Sequence, residues 1–169
     1  YFIFVIVKAM KSLLVRSKSQ TQKIATKLAR QILKVDPLKR ARILALSGDL
    51  GAGKTTFTQG FIKALGVKHH VTSPTFLIVR RYNIPNYEFS KTQNLKTKTY
   101  LNVYHFDLYR IHSIAEMEQL HFKKIINDPQ NIVLIEWPER IGKSIPKSAQ
   151  WIYFEHGRNI KERRIVIKN

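Results

Sequence analysis

One run of residues carries the clearest chemical signal in the chain: Gly48-Asp49-Leu50-Gly51-Ala52-Gly53-Lys54-Thr55-Thr56. Its spacing, G-x-x-x-x-G-K-[ST], is that of a phosphate-binding P-loop, and it lies between the apolar run Ile43-Leu44-Ala45-Leu46 and a helix-like segment from Phe57 to Leu65. A triphosphate needs several donors converging on it. Side chains cannot all crowd in, so backbone N–H groups serve, and glycines let the backbone approach. The expected nucleotide-binding residues are Gly48, Leu50, Gly51, Ala52, Gly53, Lys54, Thr55 and Thr56, with Gly51 to Thr55 wrapping the β-phosphate. The following helix adds its unpaired N–H groups and the positive end of its dipole. Lys54 would reach the β/γ-phosphates as a point charge, and Thr55 would offer a hydroxyl to Mg²⁺. The plainer alternative is a Gly-rich strand-to-helix turn with an exposed lysine.

A P-loop that hydrolyses its nucleotide also needs an acid at the end of a hydrophobic strand to hold Mg²⁺ with the loop hydroxyl. Glu136 ends Ile132-Val133-Leu134-Ile135, and Asp107 ends Tyr104-His105-Phe106. Strand carboxyl ends are where ligands sit in open α/β sheets. Glu136 follows the more apolar strand and is assigned to the metal. Asp107 is left to orient or activate the attacking water, or to bind Mg²⁺ through water. Thr72, Ser73 and Thr75 form a hydroxyl-rich loop that either senses a γ-phosphate or makes ordinary turn chemistry around Pro74. Trp137 has two readings, stacking on a base or packing the core. Arg110 could pair with Asp107 or steady a phosphate. His69, His70 and His105 show no ligand set of their own.

These side chains need a scaffold. The 169 residues suffice for one domain with a core, and the apolar fraction of 44% fits a globular protein. The fold expected is α/β, a P-loop NTPase fold with a mixed, mostly parallel sheet flanked by helices. The pattern predicts a strand over 11–16 and a helix over 20–33 capped by Ser19 or Thr21. A buried strand follows over 42–47, then the P-loop helix ending at Gly66. Phe76 to Tyr82 reads as a strand, 83–98 as a polar, basic insertion, and 99–106 as the returning strand. Ser113-Ile114-Ala115-Glu116 opens a helix with a capping box running to Ile126, and 131–135 is a second buried strand. Two closing strands, over 150–155 and 162–167, flank a turn at His156-Gly157-Arg158. Residues 1–9, ahead of Met10, read as an upstream extension of a single domain over 10–169.

There is no cysteine, so disulfides and thiolate metal sites are excluded, which suits a cytoplasmic protein. The apolar run Tyr1 to Val7 is too short to span a bilayer, so no membrane association is expected. Thirty basic residues against 11 acidic ones give a net charge of +19. Such a field favours a polyanion or an acidic partner, although the cations form no single block and also suit a solvated surface.

Four blocks in order resemble the TsaE (YjeE) family: the P-loop, Thr72-Ser73-Pro74-Thr75-Phe76, Tyr104-His105-Phe106-Asp107-Leu108-Tyr109-Arg110, and Ile135-Glu136-Trp137-Pro138-Glu139. The resemblance covers about Met10 to Ile167. It implies a cytoplasmic ATPase that works with a TsaD–TsaB complex to form threonylcarbamoyladenosine on tRNAs reading codons that begin with A. By the same resemblance Thr55 and Glu136 bind Mg²⁺, Asp107 serves hydrolysis, and Thr72 to Phe76 is switch-like; from the P-loop itself Lys54 is expected to join Asp107 as a catalytic residue. Trp137 would lie near the nucleotide, and Gly157 and the start of the first helix near the base. The chain departs from the family in its first nine residues, its basic insertion and its charge.

What is missing agrees. There is no [NT]-K-x-D guanine motif, no D-x-x-G after a strand and no LSGGQ-like signature. The nucleotide expected is therefore ATP rather than GTP. Two other classes stay open: a small-molecule kinase, which would need an acceptor pocket and a lid, and a nucleotide-switched RNA-binding module, which the positive charge motivates.

Overall fold

The structure, a computed structural model, describes residues 11–85, 100–159 and 161–168. The expected extension over 1–9 and all but Asn83 to Pro85 of the expected insertion lie outside the described residues.

The described elements are β1 (Lys11–Val15), α1 (Lys18–Leu33), β2 (Arg42–Gly48), α2 (Lys54–Ala64), β3 (Val79–Asn83), β4 (Asn102–Asp107), α3 (Ile114–Gln119), α4 (Phe122–Asn127), β5 (Asn131–Glu136), β6 (Gln150–His156) and β7 (Arg163–Lys168). Two 3-10 turns, Pro138–Arg140 and Gly142–Ser144, stand between β5 and β6. The strands form one sheet in the order β1-β7-β6-β2-β5-β4-β3. The pairings β6·β2, β2·β5 and β5·β4 are parallel, while β1·β7, β7·β6 and β4·β3 are antiparallel. The sheet is thus mixed, parallel at its centre and antiparallel at both margins.

The centre is parallel because its strands are apolar on both faces, and each face has helices to cover it. Alternate residues of β2 divide between the layers: Leu44 and Leu46 join one core cluster, Ile43 and Ala45 the other. In β5, Ile132 and Leu134 point to the first layer and Val133 and Ile135 to the second. Helices α1 and α2 cover the first face through Ala25, Ala29, Ile32, Phe57, Phe61 and Ile62. Met117, Phe122 and Ile126, from α3 and α4, cover the other.

Local chemistry moves three boundaries. The cap of α1 is Ser17, earlier than Ser19 or Thr21, because its side chain accepts from the Gln20 N–H at 3.2 Å. The expected strand from Phe76 begins only at Val79. Phe76 is 82% exposed, and Ile78 has φ 63, which breaks an extended run. The expected single helix from Ser113 to Ile126 is two, because His121 sits in the left-handed region at φ 54 between α3 and α4. The capping box itself is present: the His112 and Ser113 N–H groups donate to Glu116 and hold its carboxyl below the ordinary range.

Gly48 shows how closely the loop after β2 is fitted. It has φ 147, and a Cβ there would meet the Phe154 carbonyl oxygen of β6 at 2.2 Å. Gly48→Ala is therefore expected to cost at least ~1–3 kcal/mol, the usual range for overpacking. Urea denaturation checks this, and an unchanged midpoint would contradict it.

Candidate nucleotide and metal site

Three strand ends meet beneath the P-loop. The β4·β5 register sets Asp107 opposite Glu136, and the β2·β5 register sets Glu136 opposite Leu46, two residues before the loop begins. Asp107 and Glu136 share strand parity with Val103 and Leu134, so both face the α1/α2 layer. Both carboxylates are buried, at 4% and 2% exposure.

The loop itself reverses into α2 through Gly53, which caps the helix in the left-handed region at φ 105. Helix α2 then starts at Lys54, so its free N–H groups face the concave side of the loop. The Lys54 side chain is buried along the loop. Its Nζ donates to the Gly48 carbonyl at 2.5 Å and the Asp49 carbonyl at 2.8 Å, and lies 3.8 Å from the centre of the Trp137 ring. Burial pulls its ammonium below the ordinary lysine value, and the nearby carboxylates of Glu136, Glu139, Asp107 and Asp49 oppose that shift.

Glu136 is held from three sides. Thr55 Oγ1 donates to its Oε2 at 2.8 Å, Thr58 Oγ1 to its Oε1 at 3.3 Å, and His105 Nε2 lies 2.8 Å from Oε1. An ionised carboxylate only accepts, so His105 donates from Nε2. Its Nδ1 is buried with no partner among the described residues. Asp107 has a separate set of donors. Ser73 Oγ and Thr75 Oγ1 both donate to Oδ2, the latter at 2.5 Å, and the Tyr109 N–H donates to Oδ1 at 3.1 Å. One carboxylate is therefore tied to the P-loop helix and the other to the hydroxyl-rich loop.

The structure brings together Lys54, Thr55, Ser73, Thr75, Asp107, Glu136 and Trp137. Other expected residues lie differently. Thr72 accepts from Arg80 Nη1 at 3.0 Å rather than meeting Asp107. The Leu50 side chain is 73% exposed, while Ala52 is fully buried in the core. Gly157 sits in the β6–β7 turn, its N–H donating to the Glu162 carbonyl at 2.8 Å. Trp137 packs against Lys54 and, with ring centres 5.1 Å apart, against Tyr109. Arg110 stacks 4.3 Å above the Phe76 ring rather than pairing with Asp107.

Sequence reasoning missed His105 and Thr58. Both had a signal. His105 precedes Asp107 by two on one strand, so it shares its face. Thr58 follows Thr55 by three on one helix, so it presents to the same side.

The donors suit a hard divalent cation. Thr55 and Glu136 offer adjacent oxygens, and among the described residues no group of three or more His, Cys, Asp or Glu converges as a closed metal cage. A site of one carboxylate and one hydroxyl fits Mg²⁺, which keeps waters and takes substrate phosphates as its other ligands.

The family model described as threonylcarbamoyl adenosine biosynthesis protein TsaE matches residues 15–165. The chain belongs to the TsaE family. It is 38% identical over 111 residues to the tRNA threonylcarbamoyladenosine biosynthesis protein TsaE of Borreliella burgdorferi, covering 66% of this chain and 70% of that one. To the protein of the same name from Haemophilus influenzae it is 34% identical over 138 residues, covering 80% and 77%. The crystal structure of YdiB from Bacillus subtilis superposes with a TM-score of 0.61 at 29% identity, covering 95% of this chain and 87% of that one. The TsaE match runs from the end of β1 into β7 and so includes every residue of the site.

The buried Glu136 depends on its donors. His105→Leu, which removes one, should be less stable than His105→Gln, which retains one, by about 1–3 kcal/mol, the cost of a buried polar group left short. Paired urea titrations read this directly, and equal midpoints would show that the His105 hydrogen bond contributes nothing.

Proposed function

We propose that this member of the TsaE family is a Mg²⁺-dependent P-loop ATPase that serves threonylcarbamoyladenosine formation on tRNA together with a TsaD–TsaB-type complex. The observation that carries the reading is the 2.8 Å hydrogen bond between Thr55 and Glu136, directly behind the helix-capping turn of the P-loop. It sets the two oxygens such a site needs side by side.

In this reading the phosphates lie in the concave loop against the N–H groups from Gly51 to Thr55. Lys54 exchanges the Gly48 and Asp49 carbonyls for β/γ-phosphate oxygens, beside the Trp137 ring that its ammonium faces. Thr55 and Glu136 would hold Mg²⁺, which would supply charge neutralisation on the phosphates. Asp107 orients the attacking water. The water oxygen bonds to the γ-phosphorus as the bond to the β–γ bridging oxygen breaks, giving ADP, phosphate and a proton that is released to solvent. Ser73 and Thr75, already on the same carboxylate oxygen, link that step to the loop before β3. No guanine motif accompanies the loop, which favours ATP.

Two arginines of the described site are engaged rather than poised as an arginine finger: Arg110 is stacked on Phe76, and Arg163 contacts the Gly51 carbonyl and the Glu162 carbonyl. That element is worth roughly 10³–10⁵ in rate in related chemistry. Isolated turnover should therefore be slow and should change when a TsaD–TsaB pair is added. Equal turnover with and without the pair would argue against a partner-completed site.

Single substitutions separate the roles. Lys54→Ala should lose nucleotide binding by calorimetry and fail to support the tRNA modification in a reconstituted system. Glu136→Gln should weaken ATP binding only when Mg²⁺ is present. Asp107→Asn should bind Mg·ATP and lose hydrolysis by roughly 10²-fold or more, as expected for a positioned acid–base group. If Glu136→Gln leaves Mg²⁺-dependent binding intact while Asp107→Asn abolishes it, the two acids must exchange roles.

A further inference from the structure

Helix α1 turns Ala25, Ala29 and Ile32 inward. Its opposite face is exposed and carries Lys23, Lys27 and Arg30, continued by Lys34 at the C-cap, at successive steps of four, three and four residues. That spacing puts them on one stripe, about 16 Å long at 1.5 Å per residue. Thr26 and Gln31 complete the lining of a shallow groove along it.

Three features set this face apart from an ordinary solvated helix. The first is the absence of acids: none occurs in the sixteen residues of α1. Exposed helices normally alternate Glu with Lys at this spacing, and like charges three or four apart oppose the helix that carries them. The second is the absence of ion-pair partners among the described residues. The ion pairs among the described residues are Arg16–Glu162, His105–Glu136, Lys123–Glu118 and Arg164–Glu155, and none involves the stripe. The third is the absence of an apolar centre. Exposed large hydrophobic residues occur at Leu14, Val35 and Leu38, but none lies between Lys18 and Lys34. Protein interfaces are depleted in lysine and built around aromatic and apolar anchors, whereas a nucleic-acid backbone is met by Lys, Arg, Thr and Gln side chains.

We propose that the outer face of α1 is a docking surface for the phosphate backbone of RNA. The surface follows from the charges and their spacing. The choice of RNA over another polyanion rests on the tRNA reading above. Regularly spaced cations suit a regularly spaced anion, and the neutral hydroxyl and amide between them suit phosphate and ribose oxygens. None of the cations in the second half of the helix belongs to the nucleotide site, so the two functions can be separated by substitution.

The test is binding of a fluorescein-labelled tRNA transcript, followed by anisotropy across a salt series. The variant Lys27→Gln/Arg30→Gln/Lys34→Gln is compared with a charge-matched control, Lys124→Gln/Lys143→Gln/Lys147→Gln, whose lysines are exposed on the far side of the sheet, in α4 and the following loops. The α1 variant should bind at least tenfold more weakly, and the slope of log affinity against log salt should fall by about 0.7–0.9 for each phosphate that is no longer neutralised. The control should stay near wild type. Equal weakening in the two variants would mean that only net charge matters, and unchanged binding by the α1 variant would mean that the stripe is not used. Either result overturns the proposal. Tighter binding of polyglutamate than of tRNA at the same salt would assign the face to an acidic protein and also overturn it. ATP binding by both variants reports their folding, so weakened tRNA binding with ATP binding intact is specific to the surface. Failure of the surface likewise leaves the ATPase reading untouched. Acetylation mapping of the wild-type protein needs no variant: tRNA should protect Lys23, Lys27 and Lys34 but not Lys143 or Lys147, and unprotected α1 lysines would refute the assignment.

Discussion

A buried carboxylate is the constraint on which the rest of this structure turns. Glu136 ends a fully buried central strand and is almost wholly withdrawn from water. Left alone there it would be strongly destabilising, because burial removes the hydration of a charge. Two hydroxyls of α2 and an imidazole from β4 replace that hydration. These bonds do more than satisfy the acid. They tie the first turn of the P-loop helix to the sheet, so the loop's curvature and the position of the acid are set together.

Strain gathers around the same place. Among the described residues, the non-glycine positions with positive φ are Ile78, His121 and Trp137. Trp137 follows Glu136 directly, and Ile78 closes the loop whose hydroxyls reach Asp107. Such conformations cost about 1–3 kcal/mol each and persist only where their surroundings over-determine them. For Trp137 those surroundings are Lys54, Tyr109 and a hydrogen bond from its N–H to the Leu46 carbonyl at 3.3 Å. For Ile78 they are backbone bonds with Pro74 and Asp107. Both strained residues therefore lie next to the two carboxylates. Asp107 is bonded to Thr75 and, through its N–H, to the Ile78 carbonyl, on either side of the exposed Phe76–Leu77 segment that leads into β3.

Charge is distributed unevenly over this scaffold. Acids that matter to the site lie at strand ends near Lys54, where they counter its desolvation. The cations lie mostly outside, and α1 presents its own without neutralising acids among the described residues. In the proposed reading, a strongly positive exterior around a locally acidic site would let a polyanion and a magnesium nucleotide be handled on different faces of one domain.

The sequence alone determined the P-loop, the two acids, the central apolar strands and the α/β class. These signals are local: a spacing of glycines, a run of buried residues, an acid at its end. It also carried the capping box at Ser113, because both partners lie within one turn. The tertiary structure decided what local patterns cannot contain. Strand order and register placed Asp107 beside Glu136 and turned His105 toward it from another strand. The lone position of His105 in sequence gave no ligand set, since its partner lies 31 residues away. The strand expected from Phe76 failed because backbone bonds joining Ile78 to Pro74 and to Asp107 hold that segment in a turn, overriding a β-forming composition. On α1 the helical spacing of Lys23, Lys27, Arg30 and Lys34 already sets them apart from the apolar residues; packing added that Ala25, Ala29 and Ile32 are the covered side and that none of the ion pairs among the described residues reaches the basic stripe.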